Sequence, residues 1–311
     1  MERLLIKILQ VISRIGVWVF TVLNRLYPKA KGDPNKILLY CDMGLGDLVM
    51  FLPTVQSLLN NGYELTFRCM RPSCVEVLKG MYPQCNFIDN TIRFKVGQIP
   101  YPLALYLNNR KGRHGLAIVP MYCCGYSSLE LFFLRIPRTV GHDWRKKWSG
   151  FYTDTVKFHE NEYQVDSYLN LLKPLTDDVV REMFFKTEKF EIPDDYVLVQ
   201  PFSMSDPRKN FMDFGKIAEE NANVVLVGSK KEIDVALRKP WGKKCKHYTT
   251  NVFQAAYLIK NAKHFYSLET GLSHIGAALK TPTTIYTSDD ERTHHPRTVH
   301  HGLRYVTYVK V

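Results

Sequence analysis

The amino-acid sequence predicts an α/β protein with two doubly wound, Rossmann-like domains preceded by an amphipathic helix. Short apolar runs alternate with segments of helical periodicity, first over residues 36–134 and again over residues 196–286. Strands that alternate with helices form parallel sheets covered on both faces. With 311 residues, 45% of them hydrophobic, the chain is long enough for two such domains. We expect the domains at 32–175 and 176–311, facing a ligand cleft at the carboxyl ends of their strands.

The predicted elements follow this alternation along the chain. In the first domain, strands are expected at residues 36–40, 64–69 and 116–120, and helices at 48–59, 74–81, 129–134 and 162–172. In the second, strands are expected at 196–200, 224–227, 264–267 and 283–286, and helices at 211–221, 253–261 and 272–279. Polar residues from Thr176 onward mark the crossing between domains. No element is assigned to residues 289–311.

Residues 1–31 are predicted to attach the protein to a membrane. The segment 4–27 is strongly apolar, and its polar side chains recur near the helical period on one stripe: Lys7, Gln10, Arg14, Thr21 and Asn24. This pattern is typical of a helix lying among the lipid headgroups. Lys7 and Arg14 leave an uncharged run well short of the roughly 20 apolar residues that a crossing helix needs. We expect peripheral attachment to the cytoplasmic face of the inner (plasma) membrane; a spanning anchor and a helix on the protein's own surface remain alternatives.

Charge and cysteine content narrow the partners. The net charge of +12 indicates anionic partners such as nucleotide phosphates, a phosphorylated saccharide or glycolipid, an anionic membrane or nucleic acid. No nucleic-acid-binding module is recognisable, so nucleic acid is not the expected partner. The seven cysteines are odd in number and form no C-x-x-C pair, which argues against a disulfide framework and a zinc site. The pairs His294-His295 and His300-His301 lack the spacing of metal ligands, and no metal site is predicted.

The turn from Asp42 to Asp47, DMGLGD, is the first candidate site. Gly44 and Gly46 permit a tight turn and close approach of a ligand, but the third glycine of a dinucleotide-binding fingerprint is missing. Asp47 then stands at the start of a helix on a loop at the sheet edge. It is a candidate general base, and the alternative is a residue that only caps the helix.

The second candidate site is the strand-to-helix junction Glu269-Thr270-Gly271-Leu272-Ser273-His274. Amide groups at a helix start, with hydroxyl groups beside them, suit a diphosphate. The alternative is an ordinary capping loop in which His274 is a half-buried histidine with its hydrogen bonds satisfied.

Two further loops of the second domain carry candidate residues. Ser203, Ser205, Arg208 and Lys209 follow a strand, where a cation would neutralise phosphate charge as the bond to the nucleotide breaks. Gly228 and Glu232 end another strand, where the carboxylate would accept hydrogen bonds from ribose hydroxyls. The alternative in both cases is a solvated loop.

These segments resemble glycosyltransferase family 9, the ADP-heptose:lipopolysaccharide heptosyltransferases. The resemblance covers residues 36–290 and is carried by five segments: KILLYCDMGLGDLVMFLPTVQSLL, RHGLAIVPMYCCGYSSLELFFLRIPRTVGHDW, HENEYQVDSYLNLLKPL, YVLVQPFSMSDPRKNF and SLETGLSHIGAALKTPTTIYTSDD. The last is the most specific, because it is similar to the family's D-T-G-x-x-H-x-x-A-A signature. Glu269 stands where the family usually has aspartate.

The resemblance implies a GT-B fold and inverting, metal-independent transfer from a nucleotide-diphospho sugar, without a cofactor. Asp47 would be the general base and Lys209 would stabilise the leaving diphosphate. The other donor-side positions are Ser203, Ser205, Arg208, Gly228, Glu232, Glu269, Thr270, Gly271, Leu272 and His274. The acceptor-side positions are Gly44, Gly46, Arg145 and Lys146.

The expected sugar is heptose or another hexose-like sugar, and the expected acceptor is lipopolysaccharide, lipooligosaccharide or another surface glycan. Two alternatives remain open on the sequence. A nucleotide-sugar epimerase uses the same architecture without an acceptor. A non-catalytic scaffold of polysaccharide assembly would keep the fold but lose the chemistry.

Overall fold

The computed structural model divides the chain into two compact units. It describes residues 22, 29, 31–69, 71–89, 113–120, 126–144, 149–202, 214–287, 300 and 303–310. The first unit comprises Met1–Met43, Thr54–Glu160 and Ser167–Val180, and the second comprises Gly44–Pro53, Asn161–Asp166 and Arg181–Val311. Each unit combines several separate segments of the chain, whereas the predicted domains are continuous. The predicted domain boundary between residues 175 and 176 therefore stays a prediction. The predicted amphipathic helix lies outside the described residues, except for Val22, Lys29 and Lys31.

The first unit is built on a parallel sheet. Its described strands are β1 (Asp33–Tyr40), β2 (Glu64–Cys69), β3 (Asn86–Asp89), β4 (His114–Val119), β5 (Arg138–His142) and β6 (Asp154–Val156). Along the same stretch of chain the helices are α1 (Leu45–Asn60), α2 (Pro72–Met81), α3 (Tyr126–Leu134) and α4 (Gln164–Asn170). The strands lie in the order β3-β2-β1-β4-β5-β6, and their pairings are all parallel. This is the order of a doubly wound sheet whose direction of winding reverses at β1.

Local sequence explains these elements. Ile37, Leu38, Leu39 and Tyr40 of β1 are at most 1% exposed, because a strand inside a parallel sheet is covered on both faces and needs a continuous apolar run. Helix α2 begins two residues before its predicted start, at Pro72. Proline suits this first helical position because its fixed φ matches the helix and its missing N–H has no partner to lose there.

The second unit repeats this strand order. Its described strands are β7 (Val197–Gln200), β8 (Val224–Gly228), β9 (Lys246–Thr249), β10 (His264–Leu268), β11 (Thr283–Thr287) and β12 (Val306–Lys310). Its helices from residue 181 onward are α5 (Gly215–Glu220), α6 (Lys230–Ala236), α7 (Val252–Asn261) and α8 (Gly271–Ala278). The strands lie in the order β12-β11-β10-β7-β8-β9, again with parallel pairings. Read from the other edge, this is the order of the first sheet, so both units are doubly wound about their first strand.

Several strands were not predicted from the sequence, and β12 is the clearest of them. It pairs in parallel with β11, from Thr283 opposite Val306 to Thr287 opposite Lys310. Its residues are half-buried or exposed, so the strand lacks the continuous apolar run that marks β1 and β7. Within the described part of the chain, no helix combines the length and the apolar character needed to cross a membrane.

Two glycines of the second unit allow close backbone packing. A Cβ atom on Gly46 would lie 2.5 Å from Cδ2 and 2.9 Å from Nε2 of His274. A Cβ atom on Gly271 would lie 2.7 Å from the Cβ of Leu45. Contacts this short leave no room for a side chain at either position unless a neighbour shifts, so the first turn of α1 packs directly on the first turn of α8.

The substitution Gly46→Ala tests this packing. We expect it to lower the free energy of unfolding by about 1–3 kcal/mol, the usual cost of overpacking a filled site. In a His274→Ala background the same substitution should cost little, because the overlapping ring is gone. Urea unfolding of the four proteins measures the coupling between the two positions. An equal cost in both backgrounds would contradict the contact.

Candidate functional site

Asp47 lies in the first turn of α1, directly after the glycine turn that follows β1. The amide of Leu48 donates to the carbonyl of Gly44 over 2.9 Å, so the helix begins at the turn itself. The Asp47 side chain is half-buried. A carboxylate in a first helical turn is stabilised by the helix dipole. The position therefore suits both a capping residue and a carboxylate presented at the sheet edge.

A buried ion cluster in the first unit involves the residue that opens the same turn. The Arg68 guanidinium donates from Nη1 to Asp42 over 2.7 Å and from Nε to Glu130 over 3.0 Å. Its side chain is 1% exposed. A buried cation of this kind needs its carboxylate partners, since removing one typically costs about 3–5 kcal/mol. The cluster fixes the end of β1 to β2 and α3.

Sequence reasoning did not find this cluster, although a signal was present. Arg68 interrupts the apolar strand segment ELTFRC. A charged side chain inside a buried strand requires buried partners of opposite charge. The identity of those partners, one 26 and the other 62 positions away, is a property of the fold.

The second candidate loop joins β10 to α8 and contains Glu269 and Thr270. The amide of Thr270 donates to Oγ of Ser273 over 3.2 Å, and the Ser273 hydroxyl donates to the Thr270 carbonyl over 2.7 Å. These two bonds join the residue before α8 to its first turn. The first amides of a helix have no intrahelical acceptor and carry its positive dipole end, which suits a phosphate oxygen. Glu269 and Leu272 flank these amides and are half-buried.

Gln200, which the sequence analysis did not single out, connects this loop to the end of β7. Its Oε1 accepts from the Thr270 hydroxyl over 3.2 Å and lies 3.0 Å from the Ser267 hydroxyl oxygen. Its Nε2 donates to the carbonyl of Phe202 over 2.5 Å. Because Gln200 is only 5% exposed, these bonds replace contacts with water and hold the start of α8 against the end of β7.

Glu232 and Gly228 lie together at the end of β8. The Glu232 carboxylate accepts from the amide of Ser229 over 2.7 Å, and the Ser229 hydroxyl accepts from the amide of Glu232 over 3.4 Å. This reciprocal pair is a capping box at the start of α6. The sequence predicts that the Glu232 carboxylate holds the ribose. One of its two oxygens already accepts a hydrogen bond from the backbone.

The structure brings some of the predicted site residues together. Gly46 and His274 are in contact within the second unit, as are Leu45 and Gly271. Six predicted positions lie outside the described residues: Arg145, Lys146, Ser203, Ser205, Arg208 and Lys209. The described part of the chain contains no group of three or more histidine, cysteine, aspartate or glutamate residues arranged to hold a metal ion.

Comparison with solved structures shows which fold these units share. ADP-heptose lipopolysaccharide heptosyltransferase II of Escherichia coli aligns with a TM-score of 0.67 at 18% identity, covering 88% of this chain and 90% of that chain. A family 9 glycosyl transferase of Veillonella parvula aligns with a TM-score of 0.68 at 14% identity, covering 91% of this chain and 88% of that chain. Heptosyltransferase WaaC of Escherichia coli, solved with ADP-2-deoxy-2-fluoro heptose, aligns with a TM-score of 0.63 at 14% identity. The alignment covers 88% of this chain and 92% of that chain. The likeness is one of fold and confirms the predicted GT-B class with its two parallel sheets.

The family itself follows from the sequence match. Residues 125–303 match the model of glycosyltransferase family 9 (heptosyltransferase), which is more than half of the chain. No curated protein sequence matches the chain significantly. The matched stretch contains α8, Gln200 and Glu232, and the resemblance found in the sequence is confirmed. The assignment favours transfer over the epimerase and scaffold alternatives. The chain belongs to glycosyltransferase family 9 and is a glycosyltransferase.

Proposed function

We propose that the protein transfers heptose or a related sugar, with inversion, from a nucleotide-diphospho donor to a lipopolysaccharide-type or other surface glycan. One observation carries this proposal: the Asp47-bearing turn of α1 packs on the helix start that contains Gly271 and His274. A carboxylate and a helix start whose amides suit an anion thereby lie in the same unit. The family and the heptosyltransferases of known structure support the sugar class.

Asp47 is the proposed general base. Attack by an acceptor hydroxyl on the anomeric carbon forms the new glycosidic bond and breaks the bond to the diphosphate, while the hydroxyl proton passes to the carboxylate. A carboxylate in this role must lie within hydrogen-bond reach of the acceptor oxygen. Gly44 supports this role, because it leaves the space beside the Asp47 carboxylate without a side chain, whereas Gly46 packs on the His274 ring.

The donor diphosphate is proposed to bind at the start of α8. Amides of Gly271 and Leu272, with the loop side chains Ser203 or Ser205, would bind its oxygens, while Arg208 and Lys209 would neutralise the charge that develops on departure. Gln200 supports this assignment, because it ties the end of β7 to Thr270. Glu232, beside Gly228, would hold the ribose with the carboxylate oxygen that the capping box leaves. Glu269 would contact the sugar or nucleotide with one methylene more than the family's aspartate.

Acceptor recognition is proposed to use the glycine turn and the basic pair Arg145 and Lys146. A phosphorylated saccharide carries the charge that such residues attract, and the net charge of +12 acts in the same direction. We further propose that residues 1–31 hold the protein on the cytoplasmic face of the inner membrane, where glycolipid acceptors are exposed.

Asp47→Asn tests the base. Loss of a general base should reduce transfer by roughly 10²–10⁴-fold, because the amide cannot take the hydroxyl proton. Donor affinity, measured by calorimetry with ADP-heptose, should change little. The control is Asp234→Asn, which removes an exposed carboxylate paired with Lys230 and should leave the rate unchanged. An Asp47→Asn protein with the native rate would refute this role.

Chelation tests the proposed absence of a metal. Dialysis against excess EDTA should leave the transfer rate unchanged, since side chains and helix amides are proposed to stabilise the leaving diphosphate. The rate is followed by release of nucleoside diphosphate. A loss that Mg²⁺ or Mn²⁺ restores would show that the diphosphate needs a cation.

Deletion of residues 1–31 tests the attachment to the membrane. The intact chain should co-sediment with vesicles containing anionic lipid and less with neutral vesicles, because each basic residue near the surface contributes about 1 kcal/mol. The truncated chain should remain in the supernatant. Equal binding by the two proteins would place the contact elsewhere.

A further inference from the structure

A chain of hydrogen bonds runs from the half-buried Tyr163 through the buried His300 to the buried His274. Nδ1 of His274 lies 2.9 Å from Nε2 of His300, and Nδ1 of His300 lies 2.7 Å from the hydroxyl oxygen of Tyr163. His274 is 6% exposed and His300 is 2% exposed. The backbone amide of His300 also donates to the hydroxyl of Tyr308 over 2.9 Å. All of these residues belong to the second unit.

Both imidazoles are neutral at pH 7. Burial lowers the pKa of His274 to about 4. Burial, and then the neighbouring His274, lowers the pKa of His300 well below its ordinary value. Burial raises the pKa of the Tyr163 phenol, which therefore keeps its proton. Each neutral imidazole carries one proton, and the chain of bonds determines which nitrogen holds it.

The Tyr163 hydroxyl determines the direction in which these hydrogen bonds donate. Among the described residues this hydroxyl has two acceptors, Nδ1 of His300 at 2.7 Å and the thioether sulfur of Met183 at 3.7 Å. A thioether is a weak acceptor, so the proton goes to the imidazole nitrogen. His300 then carries its own proton on Nε2 and donates it to Nδ1 of His274. His274 must in turn carry its proton on Nε2.

The protonated Nε2 of His274 faces the glycine turn that precedes Asp47. Nε2 of His274 is the ring atom that would lie 2.9 Å from a Cβ on Gly46. It forms no hydrogen bond with the described residues. An N–H group at this place is a neutral donor beside the helix start of α8, where anionic oxygen is favoured.

We propose that Tyr163 and His300 are positioning residues that hold His274 as an Nε2–H donor to an oxygen of the donor diphosphate. The inference rests on the proposed function for the identity of that oxygen. The tautomer itself does not depend on it. In this arrangement His274 is not a base, because its only basic nitrogen accepts from His300.

Nitrogen-15 NMR of the histidine-labelled protein tests the tautomer without substrate. The signals of His274 and His300 are assigned by their loss in His274→Gln and His300→Gln. We expect both rings to be protonated on Nε2 alone. In Tyr163→Phe the phenol proton is missing, and His274 should become a mixture of its two tautomers. A native His274 protonated on Nδ1 overturns the proposal, whatever sugar the enzyme transfers.

Transfer kinetics test the consequence. Tyr163→Phe should lower kcat by about tenfold, the size of one hydrogen bond. Tyr257→Phe, which removes a phenol hydroxyl from α7 outside the chain of bonds, is the control and should retain the native kcat. A Tyr163→Phe protein with native kcat and an unmixed tautomer overturns the role of Tyr163.

Two substitutions of His300 separate positioning from folding. Glutamine offers one acceptor for Tyr163 and one donor for His274, whereas leucine offers neither. We expect His300→Gln to keep a larger share of kcat than His300→Leu, with equal unfolding midpoints for the second unit. Equal kcat values overturn the proposal. If the leucine protein does not fold, His300→Gln is compared with the native protein, and an Nδ1-protonated His274 in the glutamine protein overturns it.

Discussion

The absence of a side chain at Gly46 is the constraint on which the arrangement around α8 depends. Because the backbone of this turn lies against the His274 ring, a side chain at Gly46 would force the turn or the ring to move. The contact between Leu45 and Gly271 fixes the same interface at a second point. Within the second unit the turn therefore packs on a helix from a distant part of the sequence, and the Asp47 carboxylate lies on the same turn.

Buried polar groups occur at the strand ends where the site residues begin. Arg68 with its two carboxylates lies at the end of β1 and β2, and Gln200 lies at the end of β7. Burying such groups costs free energy unless every donor and acceptor is satisfied. A buried polar network therefore adds little stability compared with apolar packing, but it allows few alternative arrangements. A group that such bonds hold in one place meets its substrate already oriented.

The parts of the fold that could be predicted are those with local signals. Strands β1, β4, β7 and β8 carry apolar runs, and Asp47, Gly271 and His274 sit in short patterns with glycine. Edge strands β9 and β12 were missed because their exposed residues are polar. Gln200, Arg68 and His300 were missed because their roles come from partners brought close by folding: His300 and Tyr163 are 137 positions apart. The spacing of single residues contains no information on such pairs.

The second unit is made of three separate segments of the chain, which affects how the protein folds and what a fragment of it would contain. Gly44–Pro53 and Asn161–Asp166 are synthesised well before Arg181–Val311, with which they are grouped. Closing such long loops slows folding, because chain entropy is lost before the contacts form. A fragment starting at Arg181 would keep the second sheet but lose Gly46 and Tyr163. The ring of His274 would then lack both the surface against which it packs and the phenol at the far end of its hydrogen-bond chain.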